Sequence, residues 1–314
     1  MAGSVTLVEM AKTSEGLSRE VIELFAQNSD ILDALRYSSD GVSNGAYRYN
    51  LEGALPGIAF RGINEGYTAS AGIINPQVET LKVVGGEVKV DTMEVKWKGM
   101  QLRSRQSLLK VKAMTATVTD KILKGDNSTE PREFDGLQTR LPLTGSQTIS
   151  NATGSGGAAL KLKKLMDLQD AVQNPTHFIM NRTMRTWLSM AHSDTGVSGY
   201  LGQTKDSWGR IQHTFNGLPI LVGYEAGPNT AILPFSEAHF GGGAANGTSI
   251  YCVNLSDTGL QMLQGSAPVA RDLGEMEAEP SFLTRVEWDV SPVIENPYSV
   301  ARLSSITDAA VTRT

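Results

Sequence analysis

The chain has 314 residues, of which 40% are hydrophobic and 19% charged, enough apolar material for one sizeable core or two smaller ones. Its net charge of −5 disfavours a protein that binds nucleic acid over its whole surface, and its single cysteine excludes an intrachain disulfide and a thiolate metal cluster. No apolar stretch approaches the length of a membrane span, and the N-terminus lacks the pattern of a signal peptide, so we expect a cytoplasmic protein.

Residues 1–37 are predicted to form an N-terminal arm of a few helical turns. Their apolar residues are too few for a core, and acidic residues outnumber basic ones. We therefore expect the arm to lie on another surface or to stay mobile. The acidic residues considered for contacts are Glu20, Glu23, Asp30 and Asp33.

A short strand is predicted at Tyr47–Leu51, and a long segment of Gly, Ala, Asn and Pro follows it. A segment of this length without a core of its own is unusual in a compact domain. It is either a lid over an active site or an extension that reaches a neighbouring molecule. A hairpin is predicted after it, with strands Val78–Val84 and Glu87–Val90 joined by Gly85–Gly86, a dipeptide that suits a primed turn.

One long helix is predicted from Asp91 to Lys124, with Gly99 tolerated inside it and Gly125 supplying a left-handed stop at its end. Its first apolar row has the three-and-four spacing of a single helix face. That row is Met93, Trp97, Met100, Ser104, Leu108, Val111, Thr115, Val118 and Ile122. A second apolar row lies roughly opposite, at Val95, Leu102, Leu109, Ala116 and Leu123.

Two basic rows lie between the apolar ones: Lys96, Arg103 and Lys110, and Lys98, Arg105 and Lys112. The predicted helix carries eight basic and three acidic residues, a charge of +5, which leaves −10 on the rest of the chain. A helix with two apolar faces packs against something on both sides. Either it is a central helix of one domain, or one face or the basic rows meet a neighbouring subunit.

The second half of the chain alternates helix and strand after a Ser/Thr/Gly-rich linker at 144–157. The helices are predicted at 158–172 and 182–192, and the strands at 178–180, 218–222, 231–233, 282–290 and 298–306. The last two strands flank a turn between Pro292 and Pro297. In the strand from Phe282 to Val290, even-numbered residues are predicted to face the core.

No constellation of residues predicts catalysis, a cofactor or a metal ion. Gly154, Gly156 and Gly157 precede a helix, but no Gly-Lys-Ser/Thr follows and no strand precedes them. The four histidines lack the spacing of a helical zinc site, and no Gly-x-Ser-x-Gly elbow occurs. The acidic run that includes Asp272 and Glu275 matches no calcium loop and is interpreted as a solvated connector.

The order of arm, extended hairpin, long helix, α/β unit and returning strand resembles the major capsid protein of tailed bacteriophages, the Hong Kong 97 fold. The residues that carry the resemblance are Leu55–Tyr67, Glu133–Leu137, His177–Asn181, Gly199–Leu201, Asn216–Ile220 and Ile232–Phe235. The resemblance covers nearly the whole chain. It implies an α+β Hong Kong 97-type capsid fold.

The resemblance also implies a division of the chain. Residues 1–37 are the N-terminal arm, and 53–80 are an extended β-hairpin loop that lies over a neighbouring subunit. The peripheral domain comprises 38–52 and 81–143, with a spine helix at 91–124. The chain returns to this domain at 269–314, which forms its last strands. Residues 144–268 are the axial domain, which gathers around the five- and six-fold axes.

The function implied by the resemblance is structural: hexamers and pentamers of an icosahedral phage head that encloses double-stranded DNA. The partners would be copies of the chain itself, packaged DNA bound without sequence specificity, and separate scaffolding, portal and decoration proteins. No membrane contact is expected. The protein would belong to the virion and assemble in the host cytoplasm, with no enzymatic activity, cofactor or metal. Contact candidates are Arg61, Glu65 and Tyr67 on the loop, the six residues of the basic rows, and the four acidic residues of the arm.

Two other functions are compatible with parts of this pattern. An encapsulin-like shell holding cargo enzymes would share the fold, although the long acidic arm and extended loop argue against it. An enzyme with residues 53–76 as its lid would need a catalytic constellation elsewhere. Two departures from the family carry expectations: the loop from Leu55 to Thr80 has no lysine, so no covalent crosslink is expected, and the arm begins at Met1, so no processing is expected.

Overall fold

A computed structural model describes residues 4–152, 154–191, 200–205, 209–223 and 231–313. The predicted helix end at His192 and the start of the motif at Gly199 lie outside these ranges. The helices are α1 (Leu7–Thr13), α2 (Gly16–Asn28), α3 (Asp30–Ala34), α4 (Thr92–Lys98), α5 (Gln101–Lys124), α6 (Leu137–Arg140), α7 (Leu162–Asp170) and α8 (Arg182–Ala191).

The strands form three sheets, and together with the helices they confirm the α+β class. They are β1 (Tyr37–Ser38), β2 (Val42–Ser43), β3 (Ala46–Ala54), β4 (Ile73–Thr80), β5 (Lys82–Asp91), β6 (Thr148–Ser150), β7 (His177–Ile179), β8 (Leu201–Lys205), β9 (Ile211–Phe215), β10 (Leu218–Leu221), β11 (Thr248–Val253), β12 (Leu260–Gln264), β13 (Val269–Glu275), β14 (Ser281–Ile294) and β15 (Val300–Ile306).

The first sheet has five strands and is organised by the long strand β14. Its order is β1-β12-β14-β13, and β5 pairs with the other edge of β14. Val286, Trp288 and Val290 of β14 are buried while Glu287 is exposed, which confirms the predicted alternation. The strand continues through Pro292 to Ile294, so the turn predicted to begin at Pro292 is wrong.

The N-terminal arm is part of the first core, which corrects the expectation that it contributes too little apolar surface. Leu7, Ile22 and Phe25 are completely buried, and the Phe25 ring lies 5.6 Å from the Trp288 ring of β14, centroid to centroid. Each helix of the arm concentrates its few apolar residues on one face, so a small number is sufficient. Burial of each such side chain stabilises the fold by about 1.5–3 kcal/mol.

The hairpin predicted around Gly85–Gly86 is wrong, because both glycines lie inside the continuous strand β5. This strand pairs with β14 from Lys82↔Val290 to Asp91↔Ser281. A Cβ added to Gly85 would collide with the backbone carbonyl of Val286, and one added to Gly86 would collide with the side chain of Lys110. The glycines therefore permit close approach of neighbouring groups and do not make a turn.

The predicted helix 91–124 is two helices. Gly99 ends α4 with φ +82° and ψ 168°, a conformation that only glycine adopts readily, and α5 begins at Gln101. Gly125 follows the last residue of α5, as predicted, but its φ of −54° is not the predicted left-handed conformation. The inner face of α5 packs on the first core through residues that include Val111, Val118 and Ile122.

The second sheet has seven strands in the order β6-β15-β11-β7-β10-β9-β8. One face meets the first core through Tyr251 and Val253 of β11. The other face meets a second core, formed with α7 and α8, through Ile250 and Cys252. Strand β11 is buried along its whole length because cores lie on both of its faces.

Sheet membership revises the predicted division of the chain at three places. Strand β12 lies within the predicted axial range but belongs to the first sheet, and β15 lies within the predicted returning range but belongs to the second. The predicted linker contains β6, which pairs with β15. The strand predicted at 231–233 is absent from this described stretch, which is irregular.

Candidate inter-subunit surfaces

The extended loop projects from the third sheet, of order β2-β3-β4, which β2 joins only at the root. Beyond β2 it is a two-stranded ribbon of β3 and β4, which pair from Ala46↔Thr80 to Ala54↔Ile73. Beyond the ribbon, residues 55–72 contain neither helix nor strand. Ile58, Phe60 and Ile63 are almost fully exposed there. An isolated ribbon of two strands is marginally stable in water, so a loop of this kind needs a surface to lie on.

The tip of this loop has a defined shape that involves all three predicted contact residues. Glu65 accepts a hydrogen bond from the backbone N–H of Gly62 at 2.8 Å, and Arg61 donates to the backbone carbonyl of Glu65 at 3.1 Å. The Arg61 guanidinium lies over the Tyr67 ring, 5.3 Å from its centroid. The structure thus brings Arg61, Glu65 and Tyr67 together in one tight turn.

Two polar contacts hold the root of the ribbon on the body of the protein. Arg140 forms an ion pair with Glu79 of β4 at 2.7 Å and donates to the backbone carbonyl of Asp135 at 2.9 Å. On β3, the Tyr47 hydroxyl donates to Glu295. Burial, and then the contact with Glu295, raises the pKa of Tyr47 to about 12. The root is thereby fixed while the tip extends into solvent.

Two of the three residues of the first basic row, Arg103 and Lys110, contact groups of their own chain. Arg103 pairs with Asp272 of β13, donates to the Thr284 hydroxyl at 3.2 Å, and lies over the Phe282 ring at 4.9 Å from its centroid. The backbone N–H of Gly274, and then Arg103, lowers the pKa of Asp272. Lys110 lies against Gly86 of β5, and Lys96 is exposed on α4.

The second basic row faces outward. Lys98 forms an ion pair with Glu94 one turn earlier, at 3.1 Å. Arg105 is exposed and Lys112 half-buried, and within the described residues neither has an ion-pair partner. The two rows, equivalent in the sequence pattern, therefore differ within α5: Arg103 and Lys110 of the first contact the sheet, whereas Arg105 and Lys112 of the second have no ion-pair partner among the described residues.

The acidic residues of the arm are also divided. Asp30 and Asp33 lie 3.6 Å and 3.4 Å from the guanidinium of Arg210, and Glu23 pairs with Arg19 at 2.9 Å. Glu20 is exposed beside a groove between α2 and α5. Of the four candidates, Glu20 is thus the one placed to meet another molecule.

The contact candidates taken from the sequence leave out the apolar residues. Besides the loop tip, Trp97 and Met100 at the α4–α5 junction are 74% and 61% exposed. Exposed apolar clusters of this kind mark surfaces that other molecules cover. The signal was present in the sequence, since the loop places Ile58, Phe60 and Ile63 among Gly and Asn residues without a helical or strand period.

Among the residues described, no group of three or more His, Cys, Asp or Glu side chains could hold a metal ion. None of the helices in this part of the chain is long and apolar enough to cross a membrane. Burial raises the pKa of the Cys252 thiol to about 12, which leaves it an unreactive core residue.

Comparison with known families gives a match to the model for the major capsid protein GP7, over residues 13–162. This range is a little under half of the chain and covers most of the arm, the extended loop, α4 and α5. No curated protein matches the chain.

Solved structures share the fold along most of the chain. The holo-SrpI encapsulin complex of Synechococcus elongatus matches 98% of both chains with a TM-score of 0.64 and 15% identity. Mycobacterium phage Adephagia matches 99% of both chains with a TM-score of 0.60 and 11% identity. The capsid of Myoviridae phage XM1 matches 87% of this chain and 90% of its own, with a TM-score of 0.54 and 12% identity.

At such low identity these likenesses establish the fold alone, and they confirm the predicted Hong Kong 97 type. The family match adds a likeness in sequence to a major capsid protein over residues 13–162. The chain therefore has the Hong Kong 97 fold, and its residues 13–162 match the family model of the major capsid protein GP7.

Proposed function

We propose that the chain forms the hexamers and pentamers of a tailed-phage head and that this head encloses double-stranded DNA. The observation that carries the proposal is the extended loop, whose tip is shaped by its own hydrogen bonds while Ile58, Phe60 and Ile63 stay exposed. A preorganised apolar surface of this kind loses little entropy when a neighbour covers it. In the proposed head, the loop lies over the neighbouring subunit.

The role of the chain in this head is structural, without a catalytic step. Its partners are further copies of itself, packaged DNA contacted without sequence specificity, and separate scaffolding, portal and decoration proteins. Support for a DNA contact comes from the outward row of α5, where Arg105 and Lys112 have no ion-pair partner among the described residues. Phosphate groups would neutralise such a row. Assembly takes place in the host cytoplasm.

The test is electron microscopy of particles purified from cells that produce the full chain, followed by analysis of their contents. We expect icosahedral particles, and DNA that survives nuclease treatment of the intact heads. A soluble species of a few subunits, without shells, would contradict the proposal.

An encapsulin-like compartment is the second candidate, because the encapsulin match covers 98% of both chains. The two functions require different contents. Particles that hold a defined cargo protein and no nuclease-protected DNA would favour the compartment. The family match to a capsid protein over 13–162 favours the head.

A further inference from the structure

An open groove of about 270 Å³ lies between helix α2 of the arm and helix α5. Its walls include Val21, Leu24 and Val111, and the partly exposed Leu108 lies at its mouth. Three charged residues also line it: Arg103 and Asp272, which are paired with each other, and Glu20, which is exposed and has no ion-pair partner among the described residues. An apolar cavity of about 150 Å³ already holds a benzene ring, so this groove has room for one aromatic side chain.

Phe60 is the most exposed large side chain of the extended loop, and no described residue of its own chain buries it. It lies next to Arg61, which the contacts with Glu65 and Tyr67 hold in a fixed orientation. The loop tip therefore presents an apolar ring beside a cation. The groove presents an apolar floor beside the exposed carboxylate of Glu20, whose negative charge is opposite to that of Arg61.

We propose that Phe60 of one copy inserts into the α2–α5 groove of a neighbouring copy, with Arg61 placed beside Glu20. The inference rests on the proposed placement of the loop over a neighbour and names the site that receives it. Met100 of the exposed α4–α5 junction also lines this groove, so the apolar surface of the junction continues into the proposed receiving site.

Buried aromatic residues at the centre of an interface are its usual hot spots, and their truncation weakens association strongly. For Phe60→Ala we expect the protein concentration needed for shell assembly to rise by at least about tenfold. Val83→Ala is a matched control, since Val83 is 72% exposed on β5 but belongs to neither the loop nor the groove. It should leave this concentration unchanged.

A direct test of the contact uses engineered cysteines in the full chain. The native Cys252 is fully buried and will not interfere. Assembled particles of a Phe60→Cys, Leu108→Cys variant should, after mild oxidation, give a ladder of crosslinked subunits up to the hexamer, since a head-to-tail contact around a ring links each copy to the next. The control pair Phe60→Cys with Ile211→Cys, whose second site is exposed on β9, should give no ladder.

The outcomes separate this inference from the proposed function. Particles that form normally but give no ladder from the first pair would overturn the groove contact and leave the head intact. If the double variant does not assemble, the Phe60→Ala measurement decides, and an unchanged assembly concentration there overturns the inference. Failure of the unmodified chain to form particles would instead contradict the proposed function.

Discussion

Arg302 is the most deeply buried arginine among the residues that the structure describes, and every contact it makes joins separate parts of the chain. Its guanidinium donates to Glu237 and to the Ser249 hydroxyl at 2.9 Å each, and to the backbone carbonyl of Leu141 at 2.8 Å. Strands β15 and β11 are thereby tied to the segment that follows α6. This ion pair is therefore a structural element of the subunit.

We expect Arg302→Met to lower the free energy of unfolding of the unassembled subunit by about 3–5 kcal/mol, because it leaves the Glu237 carboxylate buried without its partner. Urea denaturation followed by fluorescence would measure the change. Arg132→Met is the control, since Arg132 is 93% exposed and should change stability by less than about 0.5 kcal/mol. Equal effects of the two substitutions would show that the buried pair is not stabilising.

His177 should make the subunit less stable in acid. Burial lowers its pKa to about 4, whereas an unfolded histidine has a pKa of about 6.5. The unfolded state therefore binds more protons between these values, and stability falls as the pH falls from about 6.5 to 4.

At pH 5 this residue alone should cost about 2 kcal/mol relative to pH 7. The measurement is urea denaturation at both pH values, for the parent and for His177→Gln. The difference between the two proteins isolates the histidine from the carboxylates that titrate in the same range. If both lose the same stability on acidification, the histidine is not the cause.

Single residues also show where prediction from sequence reaches its limit. Gly85, Gly86 and Gly99 look alike in the sequence, yet two allow close packing inside a strand and the third ends a helix. The role of Gly85 depends on the backbone of Val286, which is far away in sequence, and that of Gly86 on the side chain of Lys110, which lies on another element. Local pattern carries no information about such neighbours.

At the scale of elements, helical periodicity predicted α5, α7 and α8, because each buries one continuous face. The packing of the arm was not predictable in this way, because its partners are distant in sequence: Phe25 of α2 packs on Trp288 of β14, and α2 also contacts α5 and β13. One local signal was available: Thr6 and Glu9 form a capping box at the start of α1. The pairing of β5 with β14 has no local signature, and a hairpin was the simpler expectation.

The break between α4 and α5 leads to a testable prediction. Alanine at position 99 would meet no neighbouring atom, but the backbone conformation there costs an L residue about 1–3 kcal/mol. We expect Gly99→Ala to destabilise the subunit by this amount without a gain in helical circular dichroism.

Gly217→Ala is the matched control, because Gly217 has φ +83° and equally open surroundings but lies in a turn between β9 and β10. The Gly217→Ala subunit should be destabilised by a similar amount. A Gly99→Ala protein that is more helical and no less stable would mean that α4 and α5 can join into the single helix that the periodicity predicts.

At the scale of the whole molecule, shells of this chain should be held together without covalent bonds between subunits. The loop from Leu55 to Thr80 contains no lysine, so it cannot supply the amine of an isopeptide bond. Boiled particles on a denaturing gel should give one band near the chain mass of 33.7 kDa. A ladder of oligomers that resists boiling and reducing agent would refute this expectation.

The fold followed from the sequence because the order of the elements is distinctive. The role of the loop and the contact residues stay predictions. Charge pattern selected both basic rows of the helix, but only the fold separates Arg103, which is paired with Asp272, from Arg105, which faces outward. Substitution of Arg103 would therefore disturb the subunit itself, and a test of outside contacts has to use the outward row.

The last prediction concerns what that outward row contacts in the proposed head. We expect Arg105→Gln with Lys112→Gln to leave the assembly of empty shells unchanged and to lower the temperature at which filled heads release DNA. Removal of two phosphate contacts per subunit weakens DNA binding, and the effect should grow smaller in high salt, where such contacts are already weak. DNA release on heating can be followed with an intercalating dye.

Arg132→Gln with Lys163→Gln is the control, because it removes the same charge from exposed positions outside α5. It should leave both empty and filled particles as stable as the parent. Impaired assembly of empty shells by the Arg105, Lys112 pair would identify a protein partner, such as Glu20 of a neighbouring arm, instead of DNA. If empty and filled particles of the variant are both as stable as the parent particles, the row is solvated and contacts neither DNA nor protein. Exposed ion pairs contribute only about 0–1 kcal/mol each.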